Sequence, residues 1–286
     1  MKRIPLNPEK DVPFMLYLPA ITWQVLFLFV PLMVVFFFSF FRSGDTFQFS
    51  LANYKALLDI QHLRIIIRSI VMSLGTMIST FLLAYPVAYF LALLAKRWKN
   101  FALFFVTLPF WSNFLVLIYS WFFLLENNGI INSFLMWAGI IRSPLDICHN
   151  IIAVFILMLY CYLPFMIMPI FTSLSRIDHR IFEASADLGA RPWQTFTRIT
   201  FPLSLPGIRT GALLVMVPAF GELAIPALMG KQWMVSSLIT HYFFVVQDDG
   251  IGSALTMASG AILFLMILSI YYLLGLLIPR SARGNV

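Results

Sequence analysis

The sequence predicts an all-α membrane protein with six transmembrane helices, and three observations carry that expectation. Apolar residues make up 61% of the 286 and charged residues only 11%, against about 25% charged in a typical globular domain. Mean hydropathy is +0.90. The apolar residues fall in long uncharged runs, not in the short alternating segments of a membrane β-barrel. The same composition is the reverse of a disordered chain. Two cysteines, Cys148 and Cys161, are too few for a secreted disulfide scaffold and are expected to pack in the interior.

A spanning helix needs about 20 mostly apolar residues. The runs 14–41, 69–95, 101–125, 147–175 and 250–279 are that long and free of charge. A sixth, 206–230, carries only Arg209 near its start and Glu222 in its interior. The first run exceeds the roughly 7–15 residues of a signal-peptide core, so it is expected to stay as a span. The stretch 129–141 is too short to cross and is expected at the interface or in a packed external loop. A tight turn at 96–100 makes spans two and three an antiparallel hairpin.

Lysine and arginine set the orientation, because cytoplasmic loops hold the excess. Six spans put both termini on one side. That side carries Lys2, Arg3, Lys10, Lys96, Arg97, Lys99, Arg176, Arg180, Arg191, Arg198, Arg280 and Arg283. The other carries Arg42, Lys55, Arg64, Arg142 and Lys231. Twelve against five places both termini in the cytoplasm, with 1–13 and 281–286 as cytoplasmic ends around a membrane domain at 14–280. The net charge of +7 then reflects topology, not a nucleic-acid partner.

The connection 176–205 is long and polar for so lean a protein. Asp178 suits an N-cap, with Phe182, Ala184 and Leu188 in the turns after it. Gly189 offers a left-handed stop, and Pro192 suits the first turn of a second helix. Pro202 is expected to end that helix around Thr200. The result is an angled helix–turn–helix at the membrane surface. Ala184, Ser185 and Ala186 are small enough to let another surface approach closely.

Glu183-Ala184-Ser185, Gly189, Ile199 and Pro202 together resemble the EAA motif of ABC-importer permeases, E-A-A-x3-G-x9-I-x-L-P. Ser185 stands in place of the second Ala and Phe201 in place of Leu. Leu51-Ala52-Asn53-Tyr54 resembles the L-x-N-Y element of such permeases. Pro109-Phe110-Trp111-Ser112-Asn113, Tyr119 and Trp121 are similar to the third span of spermidine/putrescine permeases. So are Asn127–Asn132, Tyr162-Leu163-Pro164 and Pro218–Glu222, whereas members often carry Arg where this chain has Leu117. The likeness covers roughly 14–280.

The resemblance implies a type I ABC importer permease (MetI-like) fold in a bacterial inner membrane. It implies a coupling helix on the loop at 176–205 that seats in the ATP-binding subunit, with Glu183, Ala184, Ser185, Gly189, Ile199 and Pro202 as its residues. It also implies a dimer of ATP-binding subunits, a second homologous permease, an extracytoplasmic polyamine-binding protein, and spermidine or putrescine as cargo. Other solutes on the same architecture remain open. An ion-coupled secondary transporter is a further alternative, although no paired inverted repeat is visible.

Glu222 is the one carboxylate deep in an apolar span, where lipid exposure costs about 2.5–3.5 kcal/mol on insertion scales. It is expected to face the interior, either as a cation contact in the translocation path or as a partner for Arg209 or another polar group. Trp111, Tyr119, Trp121, Tyr160 and Tyr162 can offer cation–π faces to an alkylammonium chain. With 30 phenylalanines in the chain, most rings are expected to be packing or interfacial belt. Asp248 and Asp249 can draw cations or cap a loop. The histidines His62, His149, His179 and His241 are scattered, and no metal site, cofactor or catalytic set is expected. The chain has no G-x-x-x-x-G-K-[ST] phosphate loop, so ATP hydrolysis is assigned to a partner subunit.

Overall fold

The computed structural model describes residues 17–41, 49–94, 98–148, 150–230 and 233–276. The terminal segments 1–13 and 281–286, and with them several of the cations used for orientation, lie outside the described residues. So does His149. The helices are α1 (Leu18–Phe38), α2 (Ala52–Ala56), α3 (Ile60–Leu93), α4 (Lys99–Trp111), α5 (Phe114–Leu125) and α6 (Ile130–Trp137). They continue with α7 (Ile151–Ser175), α8 (His179–Asp187), α9 (Pro192–Phe220), α10 (Val235–Val246) and α11 (Asp249–Leu276). Among the described residues, six stretches are long and apolar enough to cross a membrane.

Two of the expected boundaries change. The third run, 101–125, is interrupted where Ser112 and Asn113 adopt extended backbone between α4 and α5. Asn113 caps the new helix by accepting from the amides of Leu115 (3.0 Å) and Val116 (3.3 Å). By length alone the crossing stretch is Phe114–Trp137, but Glu126 (ψ 158°) and Gly129 (ψ 168°) leave helical backbone between α5 and α6. α6 is therefore a helix separate from α5. Asn132 holds it down: its amide donates to the carbonyls of Glu126 (3.1 Å) and Leu145 (3.0 Å) and accepts from Leu145 N (3.0 Å).

The second correction concerns Pro202. The helix does not stop near Thr200 but runs unbroken from Pro192 to Phe220. A wider i→i+5 turn at Phe196–Thr200 precedes the proline and makes room for its ring. Thr200 Oγ1 donates to the carbonyl of Thr195 at 3.4 Å within that turn.

By internal contacts the chain forms two units, 1–59 with 239–259 and 60–238 with 260–286. In the first, the end of α1 is pinned by the residues resembling the L-x-N-Y element. Asn53 Nδ2 donates to the carbonyls of Ser39 (3.1 Å) and Phe41 (2.8 Å), and Tyr54 Oη donates to Ser39 Oγ (2.9 Å). Gly250 lies so close that a Cβ there would come within 2.7 Å of Asn53 Nδ2. Asp248 caps α11 by accepting from Ile251 N at 3.0 Å, so of its two expected roles it takes the cap.

The second unit is built on α3, α7 and α9, which pack on one another. Leu157, Met158, Met166, Ile170, Leu174 and Leu205 are fully buried in their shared core, and Cys148 and Cys161 are buried in the same unit. Helices in lipid gain little from hydrophobicity and associate by close packing, which small residues allow. Gly207 and Gly211 supply it here. Gly207 sits on the backbone of Pro169 and the Ser173 hydroxyl, and Gly211 on Met166. Tyr85 Oη and Ser204 Oγ share a hydrogen bond at 3.2 Å between α3 and α9.

Candidate functional site

The polar connection forms the angled pair of helices expected. Asp178 Oδ1 accepts from Arg180 N (3.0 Å) and opens α8. Gly189 adopts φ +75° and turns the chain, while Ala190 N donates to Ser185 O at 3.1 Å. Pro192 then takes the first turn of α9, and Arg191 N donates to Gln194 Oε1 at 2.8 Å. Ser185 is buried and its hydroxyl meets Thr195 Oγ1 at 2.7 Å, tying α8 to α9. The serine that departs from the EAA pattern thus has a bonding partner that alanine would lack. Glu183, Ala184 and Gly189 are exposed, and Ile199 and Pro202 are half-buried. Two large apolar side chains flank the turn, Leu188 (87% exposed) and Trp193 (72%). Neither was expected from the sequence as a contact residue, although apolar character on a polar loop was a usable signal.

At the far end of α9, Gly221 ends the helix and Glu222 lies in a two-residue break before helix resumes at 224. The Glu222 carboxylate is bonded on both oxygens. Oε2 accepts from Tyr162 Oη on α7 at 2.5 Å, and Oε1 accepts from the amides of Ala224 (3.1 Å) and Ile225 (3.4 Å). Its carbonyl accepts from Ser236 Oγ at 2.6 Å. Glu222 therefore caps the following helix and links it to α7. Its side-chain partner is Tyr162; Arg209 instead lies over the Tyr271 ring, 4.8 Å from the centroid.

Tyr162 also lines a cleft of about 250 Å³ at the α4–α5 break, together with Phe110, Ser112, Phe114, Leu117 and Phe165. Phe110 and Phe165 meet edge to face at 4.6 Å. Among the expected aromatic residues, Trp121 and Tyr160 pair at 5.1 Å. Trp111 (84% exposed) and Tyr119 (50%) are not among the cleft residues. Phe110, Phe114 and Phe165 were not expected there; the flanking Pro109 and Asn113 were the signal that could have separated them from the other phenylalanines.

Apolar spans packed by small residues and a projecting polar loop define a polytopic transport protein of the permease class. More particularly, the chain belongs to the family described as binding-protein-dependent transport system inner membrane component, matched over residues 80–283. It is 38% identical over 252 residues to the spermidine/putrescine transport system permease protein PotB of Salmonella typhimurium, covering 86% of this chain and 88% of the relative. PotB of Escherichia coli is 37% identical, with 86% and 92% covered. PotB of Haemophilus influenzae is 34% identical over 268 residues, with 92% and 93% covered. A solved chain of a bacterial ABC transporter involved in the import of the acidic polysaccharide alginate superposes with a TM-score of 0.77 at 16% identity, covering 91% of this chain and 94% of that one. The fold is accordingly that of an ABC-importer permease, as expected from the sequence, and the chain is a multi-pass inner-membrane transport component.

Proposed function

We propose that this chain is the permease subunit through which a bacterial ABC importer carries spermidine or putrescine inward, driven by ATP hydrolysis on separate subunits. The observation that carries this reading is the identity of 37–38% to two PotB permeases across 86% of the chain. A pair of ATP-binding subunits docks on α8 and the turn after it. The exposed Leu188 and Trp193 beside Glu183 support that docking, since large apolar side chains on a polar loop gain from being covered. The charge asymmetry of the loops supports a cytoplasmic position for this element and for both termini. A second, homologous permease and an extracytoplasmic binding protein complete the assembly. Closure of the ATPases draws the coupling helices together and reorients the spans, a two-state element biased from a distant site.

Within the chain, Glu222 and Tyr162 are the residues proposed nearest the path, beside the cleft lined by Phe110, Phe114 and Phe165. The aromatic walls suit an alkylammonium chain. Trp111, Tyr119 and Tyr160 stand as further path positions. One observation favours a second reading, the same architecture carrying another solute: both oxygens of Glu222 already have partners within the chain.

The deciding experiment is ATP hydrolysis by the reconstituted complex in proteoliposomes, with binding protein supplied empty, putrescine-loaded or spermidine-loaded. Stimulation by one loaded form is expected. Hydrolysis that responds to no polyamine, in a complex that assembles, transfers the assignment to another solute.

A further inference from the structure

Arg209 sits where a cation is costly. It lies seventeen residues past Pro192 on α9, about 25 Å along the helix axis from the turn at Gly189. Its Nε is buried and makes no hydrogen bond. Among the described residues the partner recorded for the guanidinium is a ring face, that of Tyr271 at 4.8 Å. Its Nη2 lies against Gly275, where a Cβ would come within 3.1 Å. Tyr271 and Gly275 belong to the last two turns of α11, so the charge is held near the C-terminal end of that helix and just past the midpoint of α9. A ring face neutralises no net charge, and an arginine at this depth is expected to reach for an anion at the membrane interface.

Residues next to Arg209 and Tyr271 in the chain, though not these two themselves, line a pocket of about 260 Å³ whose wall is apolar throughout. It lies between Ile78 and Phe81 of α3, Ile208 and Ala212 of α9, and Ile270 and Leu274 of α11. Ile208 and Ala212 bracket Arg209 along α9, and Ile270 and Leu274 bracket Tyr271 along α11. A cation that has no carboxylate partner among the described residues, close in the chain to an apolar pocket, is complementary to one kind of molecule, an anion with a long hydrocarbon tail. A carboxylate from a partner protein would answer the charge and leave the groove unexplained.

We infer that Arg209, Tyr271 and this pocket form a binding site for an anionic phospholipid of the loop-side leaflet, its phosphate on the guanidinium and one acyl chain between α3, α9 and α11. The site joins the final helix to the packed core through a lipid. Basic positions between spans are where anionic headgroups bind.

The test is native mass spectrometry of the full-length chain, co-expressed with its partners and exposed to equal amounts of phosphatidylglycerol and phosphatidylcholine with matched chains. Preference for phosphatidylglycerol of about fivefold is expected, the factor one cation beside an anionic headgroup supplies. Arg209→Gln should bring the two lipids to parity, and Arg209→Lys should keep most of the preference. Ala212→Phe fills the groove without touching the charge and should lower retention of phosphatidylglycerol, so the inference stays testable if Arg209→Gln fails to fold. Parity in the unmodified protein overturns it, as does unchanged retention in Ala212→Phe. Release of a partner subunit by Arg209→Gln with the lipid preference intact also overturns it and assigns Arg209 to a subunit contact.

Discussion

The Tyr162 hydroxyl on α7 donates to Glu222 Oε2 at 2.5 Å, joining the middle of one span to the break that ends another. With Glu222 also capping the helix that resumes at 224, the pair is a structural joint whatever else it contacts. Tyr162→Phe leaves a buried carboxylate short of one charge-assisted hydrogen bond, a loss of about 1.5–3 kcal/mol. Thermal unfolding in detergent should register it. Glu222→Gln keeps one oxygen to accept from the amides of Ala224 and Ile225, and its NH2 can donate to the Tyr162 hydroxyl. The joint is retained with that one hydrogen bond reversed, so stability should change little. If Glu222 also meets cationic cargo, substrate-stimulated ATP hydrolysis will fall in that variant while unfolding stays normal; unchanged stimulation would leave the residue structural.

Glu183→Arg should abolish transport with the chain still inserted. It adds a fifth arginine to a connection that already holds Arg176, Arg180, Arg191 and Arg198, and it does so on an exposed face of α8. Co-purification of the ATP-binding subunits is the readout, and normal uptake would remove the coupling assignment.

Ser185→Ala tests whether the tie between α8 and α9 matters. The variant loses the 2.7 Å contact with Thr195 Oγ1 and should destabilise by about 1 kcal/mol. Pairing it with Thr195→Val in a double-mutant cycle isolates the bond. If the tie transmits motion, the ratio of ATP hydrolysed to solute moved should rise even where docking is intact.

Gly207→Val should separate α9 from α7. Its Cβ would collide with the carbonyl of Pro169 and the Ser173 hydroxyl, and backbone cannot yield as a side chain can. Overpacking of this kind costs about 1–3 kcal/mol or more, so we expect a sharp fall in the yield of folded protein. Wild-type yield and melting would show that the two helices have room to part.

The fold was legible because composition dictates most of it: lipid-facing helices must be apolar, and the loops between them must hold the charge. The shape of the polar connection between α7 and α9 was legible for a different reason. Asp178, Gly189 and Pro192 act within their own turn, so residue type alone fixes what each does. Pro202 misled because its effect depends on the turn before it, and a widened turn at Phe196–Thr200 leaves no mark in sequence. The break at Ser112–Asn113 did carry a local mark, the Asn113 cap shortly after Pro109, which the unbroken apolar length of 101–125 outweighed. Tyr162 and Glu222 stand sixty residues apart, and their contact arises only when α7 and α9 pack. Phe110, Phe114 and Phe165 were hidden by abundance.

The unbroken course of α9 gives the chain a lever. Its 29 residues begin just after the turn at Gly189 and end one residue short of the break at Glu222, a length of about 43 Å at 1.5 Å per residue. A tilt of about 5° about its base would swing the far end by roughly 4 Å, comparable to the diameter of a hydrocarbon chain. The widened turn at Phe196–Thr200 lies at the fulcrum end, where compliance takes least from the stroke. Force applied at Pro192 would reach the break at Glu222 along one piece of backbone, and Tyr162 through its hydrogen bond to that residue.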